Sequence, residues 1–483
     1  MSETTLKNKT VKGVGWSFID NISSSGISFL VSLVLARILS PEEYGIMAML
    51  TIFIAVSNSI VDSGFSNALI RKNDVVNLDY NTTFYFNLVV SCVLYFVLYV
   101  CAPLISGFFS EPLLIPVTRV LGLVLIVNAC SIIQRTILVK AVDFKTQTKI
   151  SLVSSILSGV IGIGMAIYHC GVWSLVGQQL SRQVLNSFLL WIYGKWKPLW
   201  EFSYNSFKNL FGFGSKLLLS GLIDTIYKNI YYIVIGRFYT ADQLGQYTRA
   251  EQFTSIFSSN LTSVIQRVSY PVLSSIQEDA IRLQEAYRKI IKATMLITFV
   301  CMLVLAALAK PLVLILIGEK WLFAVPYLQI LCFAEMFYPL HAINLNILQV
   351  KGRSDLFLKL EVIKKIVAIL PIVLGITLGI KFMLWGAVCT SVISFFLNSY
   401  YSGHLVNYST MNQIKDIYPT FLIASFVAGA IWCLSFLNLS IYLTFFIQCV
   451  TGFVLLILIN EKCRLKEYME MKQLIQGALR KKI

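Results

Sequence analysis

The sequence predicts an all-α, polytopic membrane protein of about fourteen transmembrane helices: two pseudo-symmetric six-helix bundles with two helices after them. Three observations lead there. The 483 residues are 57% hydrophobic and 13% charged, against about 25% charged in soluble domains, so the chain cannot clothe itself in polar surface. Apolar runs of roughly 20 residues, the length that crosses a bilayer, recur from end to end. Finally, Ala36-Arg37-Ile38-Leu39-Ser40-Pro41-Glu42-Glu43-Tyr44-Gly45 returns 200 positions later as Gly236-Arg237-Phe238-Tyr239-Thr240-Ala241-Asp242-Gln243-Leu244-Gly245. Arg37 pairs with Arg237, Ser40 with Thr240, Glu42 with Asp242 and Gly45 with Gly245. Each copy separates two apolar runs, and its hydroxyl followed by an acid suits a helix N-cap and first turn.

The runs place helices near 13–37, 43–69, 83–108, 113–139, 147–170, 172–194, 209–236, 242–270, 290–309, 322–349, 357–380, 382–404, 416–437 and 439–459. Starting from inside, alternate loops and the tail hold 29 of the 40 lysines and arginines, and the opposite loops seven. This positive-inside bias places both termini in the cytoplasm. The net charge of +16 is then topological and gives no reason to expect nucleic acid. Residues 1–12 are polar and basic and the first run is long enough to stay as a helix, so no cleavable leader is expected. The ten cysteines are scattered singly with no C-x-x-C and read as small buried hydrophobes.

Taken in order, the first span carries Ser17, Asn21, Ser24, Ser25, Ser28 and Ser32 on one face, and the second Thr51, Asn58, Asp62 and Ser66. Steps of three and four make such stripes. At membrane depth they face partner helices or a wet cavity. The third, fifth and sixth spans read as scaffold. The fourth bears Arg119, Asn128, Ser131, Gln134 and Arg135, and the sixth sets Arg182 among Gln178, Gln179 and Gln183. Residues 195–208 form a polar, aromatic, proline-containing linker, which ends a first lobe at 205. The seventh span repeats the first with charges, Lys216, Ser220, Asp224 and Lys228, beside Tyr227, Tyr231 and Tyr232. The eighth repeats the second with Thr248, Arg249, Glu251, Gln252, Ser255, Ser259, Thr262 and Gln266. Segment 276–292 is amphipathic and expected as a helix on the membrane surface. Gly318 to Trp321 form an outer turn, and the tenth span carries Glu335, His341, Asn344 and Gln349. The eleventh and twelfth close a second lobe, 206–405. Residues 406–460 add two spans without counterparts, and 461–483 form a basic amphipathic cytoplasmic tail.

Six crossings separate the copies, so both halves enter the membrane alike and their symmetry axis follows the membrane normal. Two lobes facing each other across the polar spans enclose a hydrated cleft, and rocking opens it alternately. Its cations are Lys216, Lys228, Arg182 and Arg249, with Arg37 and Arg237 at the outer rim. Arginine forks and lysine point charges both suit phosphate. The interleaved Asn21, Asn58, Tyr231 and hydroxyls suit sugars. Asp62, Asp224 and Glu335 are the candidate sites for a coupling ion or proton. Set against this, Lys216, Asp224 and Lys228 can neutralise one another as helix glue, Arg37 and Arg237 can snorkel to headgroups, and His341 can be a packing residue.

Residues 35–45 and the stretch Gly64-Phe65-Ser66-Asn67-Ala68-Leu69-Ile70 resemble the opening of bacterial oligosaccharide flippases. Further matches are Leu244-Gly245-Gln246-Tyr247-Thr248-Arg249-Ala250, Pro271 to Asp279, and Gly318-Glu319-Lys320-Trp321 with Ala324-Val325-Pro326. These flippases are the polysaccharide transporter branch of the MATE-like multidrug/oligosaccharidyl-lipid/polysaccharide superfamily, and the chain is most similar to its Wzx subgroup of colanic and teichuronic acid exporters. The resemblance implies a MATE-like fold in the bacterial cytoplasmic (inner) membrane. It implies a flippase of undecaprenyl-diphosphate-linked oligosaccharides, working amid membrane lipid with a polysaccharide polymerase and glycosyltransferases. Neighbouring readings are a MATE-type cation/drug antiporter and a peptidoglycan-precursor flippase. Drug-extruding relatives rely on first-lobe acids, where the first span here offers only Asp20. A membrane polymerase or glycosyltransferase needs an acid, base or metal cluster. The outer loops here are a few residues long and lack Asp-x-Asp, so no catalytic residue, metal or cofactor is expected.

Overall fold

The computed structural model describes residues 16, 23–72, 74–194, 196–437, 439–463, 468–470 and 472–473, with only the backbone of Lys216. Its contacts divide the chain into two compact units, Met1–Gly245 and Gln246–Ile483.

In the first unit α1 (Ser23–Ile38) stops one residue short of Ser40, which caps α2 (Pro41–Asp62). Proline stands at the first helical position, where its missing N–H is harmless. The predicted second span, 43–69, is broken after Asp62. Ser63 and Gly64 both take the left-handed conformation (φ 46° and 70°), and α3 (Phe65–Arg71) starts afresh. Next come α4 (Asn77–Phe109), α5 (Leu114–Leu121) and α6 (Leu123–Lys140), the last two bent at Gly122. The unit continues with α7 (Phe144–Ile167), α8 (Val172–Tyr193), α9 (Tyr204–Phe238) and the start of α10 (Ala241–Ser275).

Helix α9 lies along α2, so position 205, where the linker suggested a lobe boundary, falls inside this unit. Small residues make that approach possible. A Cβ on Gly214 would stand 2.6 Å from the carbonyl oxygen of Ser63, and one on Gly64 2.6 Å from that of Gly214. Gly236 fits between Phe109 and Met49, and the hydroxyls of Ser59 and Thr225 meet at 3.3 Å between the two glycine contacts.

The second unit holds most of α10, then α11 (Ala280–Leu316), a 3-10 turn at Glu319–Trp321, α12 (Ala324–Glu335) and α13 (Tyr338–Val350). It ends with α14 (Ser354–Val367), α15 (Ile369–Leu378), α16 (Ile380–Val406), α17 (Thr410–Cys433) and α18 (Ile441–Cys463). Two predicted spans are broken here by proline. Its ring collides with the carbonyl four residues back. Accordingly α12 ends at Glu335, four before Pro339, and α14 at Val367, four before Pro371.

One expectation is corrected. Segment 276–292 is no separate surface helix, because from Ala280 it runs unbroken into the ninth span as α11. Asp279 caps its first turn, and Leu283, Tyr287, Ile291, Met295 and Phe299 form one fully buried stripe. The amphipathic face meets the unit's own core rather than lipid headgroups. Tyr287 fixes it by donating to Asn344 Oδ1, with Ser402 Oγ 3.1 Å from the same hydroxyl. Arg288 next to it forks onto Asp416 at 2.5 and 2.7 Å.

Each predicted run falls on helix, the first over its described part. Among the described residues nine spans are long and apolar enough to cross a membrane by length and composition. Helices α8, α9 and α10 are not among the nine. They are the helices on which the sequence places Arg182, Lys228 and Arg249. Residues 464–467, 471 and 474–483 of the predicted tail lie outside the described residues.

Candidate functional site: polar faces of the membrane helices

Both copies of the ten-residue repeat form the same cap. Ser40 Oγ accepts from the Glu43 N–H at 3.4 Å while Glu43 Oε2 accepts from the Ser40 N–H at 2.6 Å. Thr240 and Gln243 exchange the same two bonds at 3.3 Å each. This is the reciprocal capping box. The partners are Glu43 and Gln243, one position beyond the acids that the sequence comparison matched. At the last residue of each copy, five beyond the capping hydroxyl and within the first unit, the copies touch. A Cβ at Gly45 would lie 1.7 Å from the Ala241 carbonyl oxygen, and one at Gly245 1.8 Å from that of Pro41. Pro41 and Ala241 are themselves equivalent positions, so the contact is reciprocal, backbone against backbone. At the same end Glu111 lies within charge range of Glu42, and burial together with that like charge lifts its carboxyl above the ordinary value.

The polar face of α2 builds a chain of amides. Asn58 Oδ1 accepts from Asn128 Nδ2 at 2.9 Å, and Asn128 Oδ1 accepts from Gln183 Nε2 at 2.9 Å, so α2, α6 and α8 are joined at depth. A cavity of about 210 Å³ opens beside Asn58, with Thr51 and Gln179 on its wall. One turn on from Asn58, Asp62 accepts from the Ser66 N–H at 3.3 Å and from its hydroxyl, and Arg135 lies within charge range. Arg182 sits half-buried on α8 beside Gln183.

The remaining predicted residues are scattered. Arg37 and Arg237 are both exposed; Arg237 donates to the Phe108 carbonyl and stands over that ring at 5.1 Å. On α9, Asp224 and Lys228 are exposed and Tyr231 is half-buried. Asn21 and the side chain of Lys216 lie outside the described residues. In the second unit Arg249 is 7% exposed, lies over the ring of Trp321 at 5.7 Å and donates to Gln252. Glu335, at the proline break, accepts from Thr254 Oγ1 at 2.9 Å and from Ser258 Oγ. Thr254 and Ser258 went unnoticed in the sequence. Their spacing of four marks one face of α10, but nothing local says that an acid 77 residues away meets it. Among the described residues no group of three or more His, Cys, Asp or Glu is placed to hold a metal ion.

Residues 34–326 match the family described as "Polysaccharide biosynthesis protein". The teichuronic acid biosynthesis protein TuaB of Bacillus subtilis is 25% identical over 425 residues, 87% of this chain and 88% of its own. The succinoglycan biosynthesis transport protein ExoT of Rhizobium meliloti is 26% identical over 332 residues, 68% and 67% of the two chains. Among solved structures, the lipid II flippase MurJ in an inward closed conformation superposes with TM-score 0.75 at 15% identity, over 93% of this chain and 99% of that one. That likeness is one of fold. The repeat, the polar helix faces and the match across more than half the chain agree, and the chain belongs to the polysaccharide biosynthesis protein family of membrane transporters.

Proposed function

We propose that the protein is a flippase that carries undecaprenyl-diphosphate-linked oligosaccharide units across the bacterial cytoplasmic membrane by alternating access, for export of a surface polysaccharide. The observation that carries this is the polar, cationic character of α8, α9 and α10 in a chain of this family. Such side chains are expensive in lipid and persist where they serve a cavity or a substrate. Arg182, Lys228 and Arg249 are the candidate diphosphate ligands, with Lys216, Arg37 and Arg237 as further cations along the route and Asn21 and Tyr231 as sugar contacts. Glu335, Asp62 and Asp224 are the candidates for coupling to an ion or proton. Of these Glu335 is supported best, because the break at Pro339 places its carboxylate against two hydroxyls of another helix. The excess of basic residues on alternate loops supports cytoplasmic termini. The polymerase and glycosyltransferases of the same polysaccharide are its expected partners.

The test is a strain depleted of the wild-type protein and carrying Arg182→Ala, Lys228→Ala or Arg249→Ala, with outer-leaflet glycolipid as the readout. A lost charged hydrogen bond, worth about 1.5–3 kcal/mol, is expected to lower translocation roughly tenfold or more. Wild-type rates in all three variants would remove the cation assignment. Normal polysaccharide in the depleted strain, with drug resistance lost, would replace the function by drug export.

A further inference from the structure

We propose that the cavity beside Asn58 is a subsite for one neutral sugar ring of the transported lipid, adjacent to the place where the diphosphate is held rather than at it. The inference deepens the flippase reading and rests on it.

The wall of this cavity is chemically selective. Its polar groups are the Thr51 hydroxyl and the amides of Asn58 and Gln179, and the rest is apolar, with Ile54 and Leu121 among it. Among the described residues no charged side chain lines it. A phosphate would lack a counter-charge there. A sugar ring offers hydroxyls on its edge and C–H groups on its faces. Amides and hydroxyls both donate and accept, which is what a hydroxyl requires of its partners. A few placed polar groups among apolar ones are the usual make-up of a small-molecule pocket. At about 210 Å³ the space is below the roughly 300–1,000 Å³ of sites for drug-sized ligands, so it suits a single ring and not a whole repeat unit.

Asn58 is also held in place for the task. Its Oδ1 accepts from Asn128, which accepts in turn from Gln183, so an interhelical chain of hydrogen bonds anchors the amide oxygen. A side chain fixed by neighbours in this way discriminates between ligands better than a mobile one. Gln179 is exposed on α8, three positions before Arg182. Residues three apart share a helix face, so a phosphate met by Arg182 stands about one turn from the pocket. The sugar attached directly to the diphosphate is the ring that this spacing favours.

The experiment uses the purified full-length protein in lipid nanodiscs and measures binding of undecaprenyl diphosphate, bare or carrying one glucose, galactose, N-acetylglucosamine or N-acetylgalactosamine. At least one glycosylated lipid is expected to bind about fivefold tighter than the bare lipid, the yield of about one net neutral hydrogen bond. Gln179→Leu and Thr51→Val, whose side chains are exposed, should reduce that gain below about twofold while binding the bare lipid as wild type does. Asn58→Leu should also reduce the gain below about twofold. A gain that survives in Gln179→Leu and Asn58→Leu, or no gain with any of the four sugars, overturns the subsite while leaving the flippase reading intact. A wild-type protein that binds neither bare nor glycosylated lipid overturns both.

Discussion

Replacing Gly45 by alanine should stall transport, and Gly245→Ala should do the same. The added methyl would enter a space where the Ala241 carbonyl oxygen stands 1.7 Å from it, and at Gly245 where that of Pro41 stands 1.8 Å away. Both obstacles are backbone, so no rotamer change relieves them and the two helix starts must separate. Overpacking of this kind is typically worth about 1–3 kcal/mol. If only one state of an alternating-access cycle contains the crossing, that penalty applies to this state alone. Each 1.4 kcal/mol shifts a two-state population about tenfold, so the closed crossing should become the minor form. Spin labels at the exposed positions 42 and 242 read this directly, with Gly107→Ala as control because nothing lies within 4 Å of its added methyl. A longer and broader distance distribution in Gly45→Ala, with translocation reduced, is the expected outcome. An unchanged distribution and unchanged transport would show that the glycines have no part in closure.

Trp321→Ala should be the most destabilising substitution in the second unit. The indole is wholly buried at the end of the 3-10 turn and is the largest of the fully buried side chains. Truncating such a ring costs about 3–5 kcal/mol through lost contacts and the cavity left behind. Arg249 would also lose the aromatic face beneath its guanidinium, a contact worth up to about 2 kcal/mol when desolvated. A fall of several degrees in the melting temperature of the purified protein is expected. Trp321→Phe, which keeps a ring under Arg249, should recover much of it. An alanine variant that melts with wild type would mean that the cavity collapses without loss and that Arg249 is held by other groups.

Much of the fold was legible because a membrane imposes a simple code. Backbone groups in hydrocarbon must be satisfied within the segment, so an apolar run of sufficient length is helical, and over the described residues the predicted runs fall on helix, four of them divided between two α-helices. Helix breaks were harder to read. Pro339 and Pro371 carry their own signal, whereas the left-handed pair Ser63-Gly64 becomes a break only where α9 comes close enough to require glycine. Segment 276–292 misled because an apolar stripe looks the same whether it faces headgroups or a protein core; Tyr287, bonded to Asn344 and Ser402, decides for the core.

The candidate site divides along the same line. Residue types along each helix, and their spacing, are written in the chain, so Asn58, Arg182, Arg249 and Glu335 stood out with no coordinates. By itself the sequence determined the helical class, the internal duplication and the polar stripes, since these follow from local periodicity and from what a bilayer excludes. Which polar group meets which was settled only by tertiary packing: Asn58 with Asn128, Glu335 with Thr254, Arg249 over Trp321, Gly45 against Ala241. Those pairings join residues 70 to 196 positions apart. Nothing local encodes them, because they depend on how closely whole helices approach, and that distance is set by a few glycines and by the bends at proline.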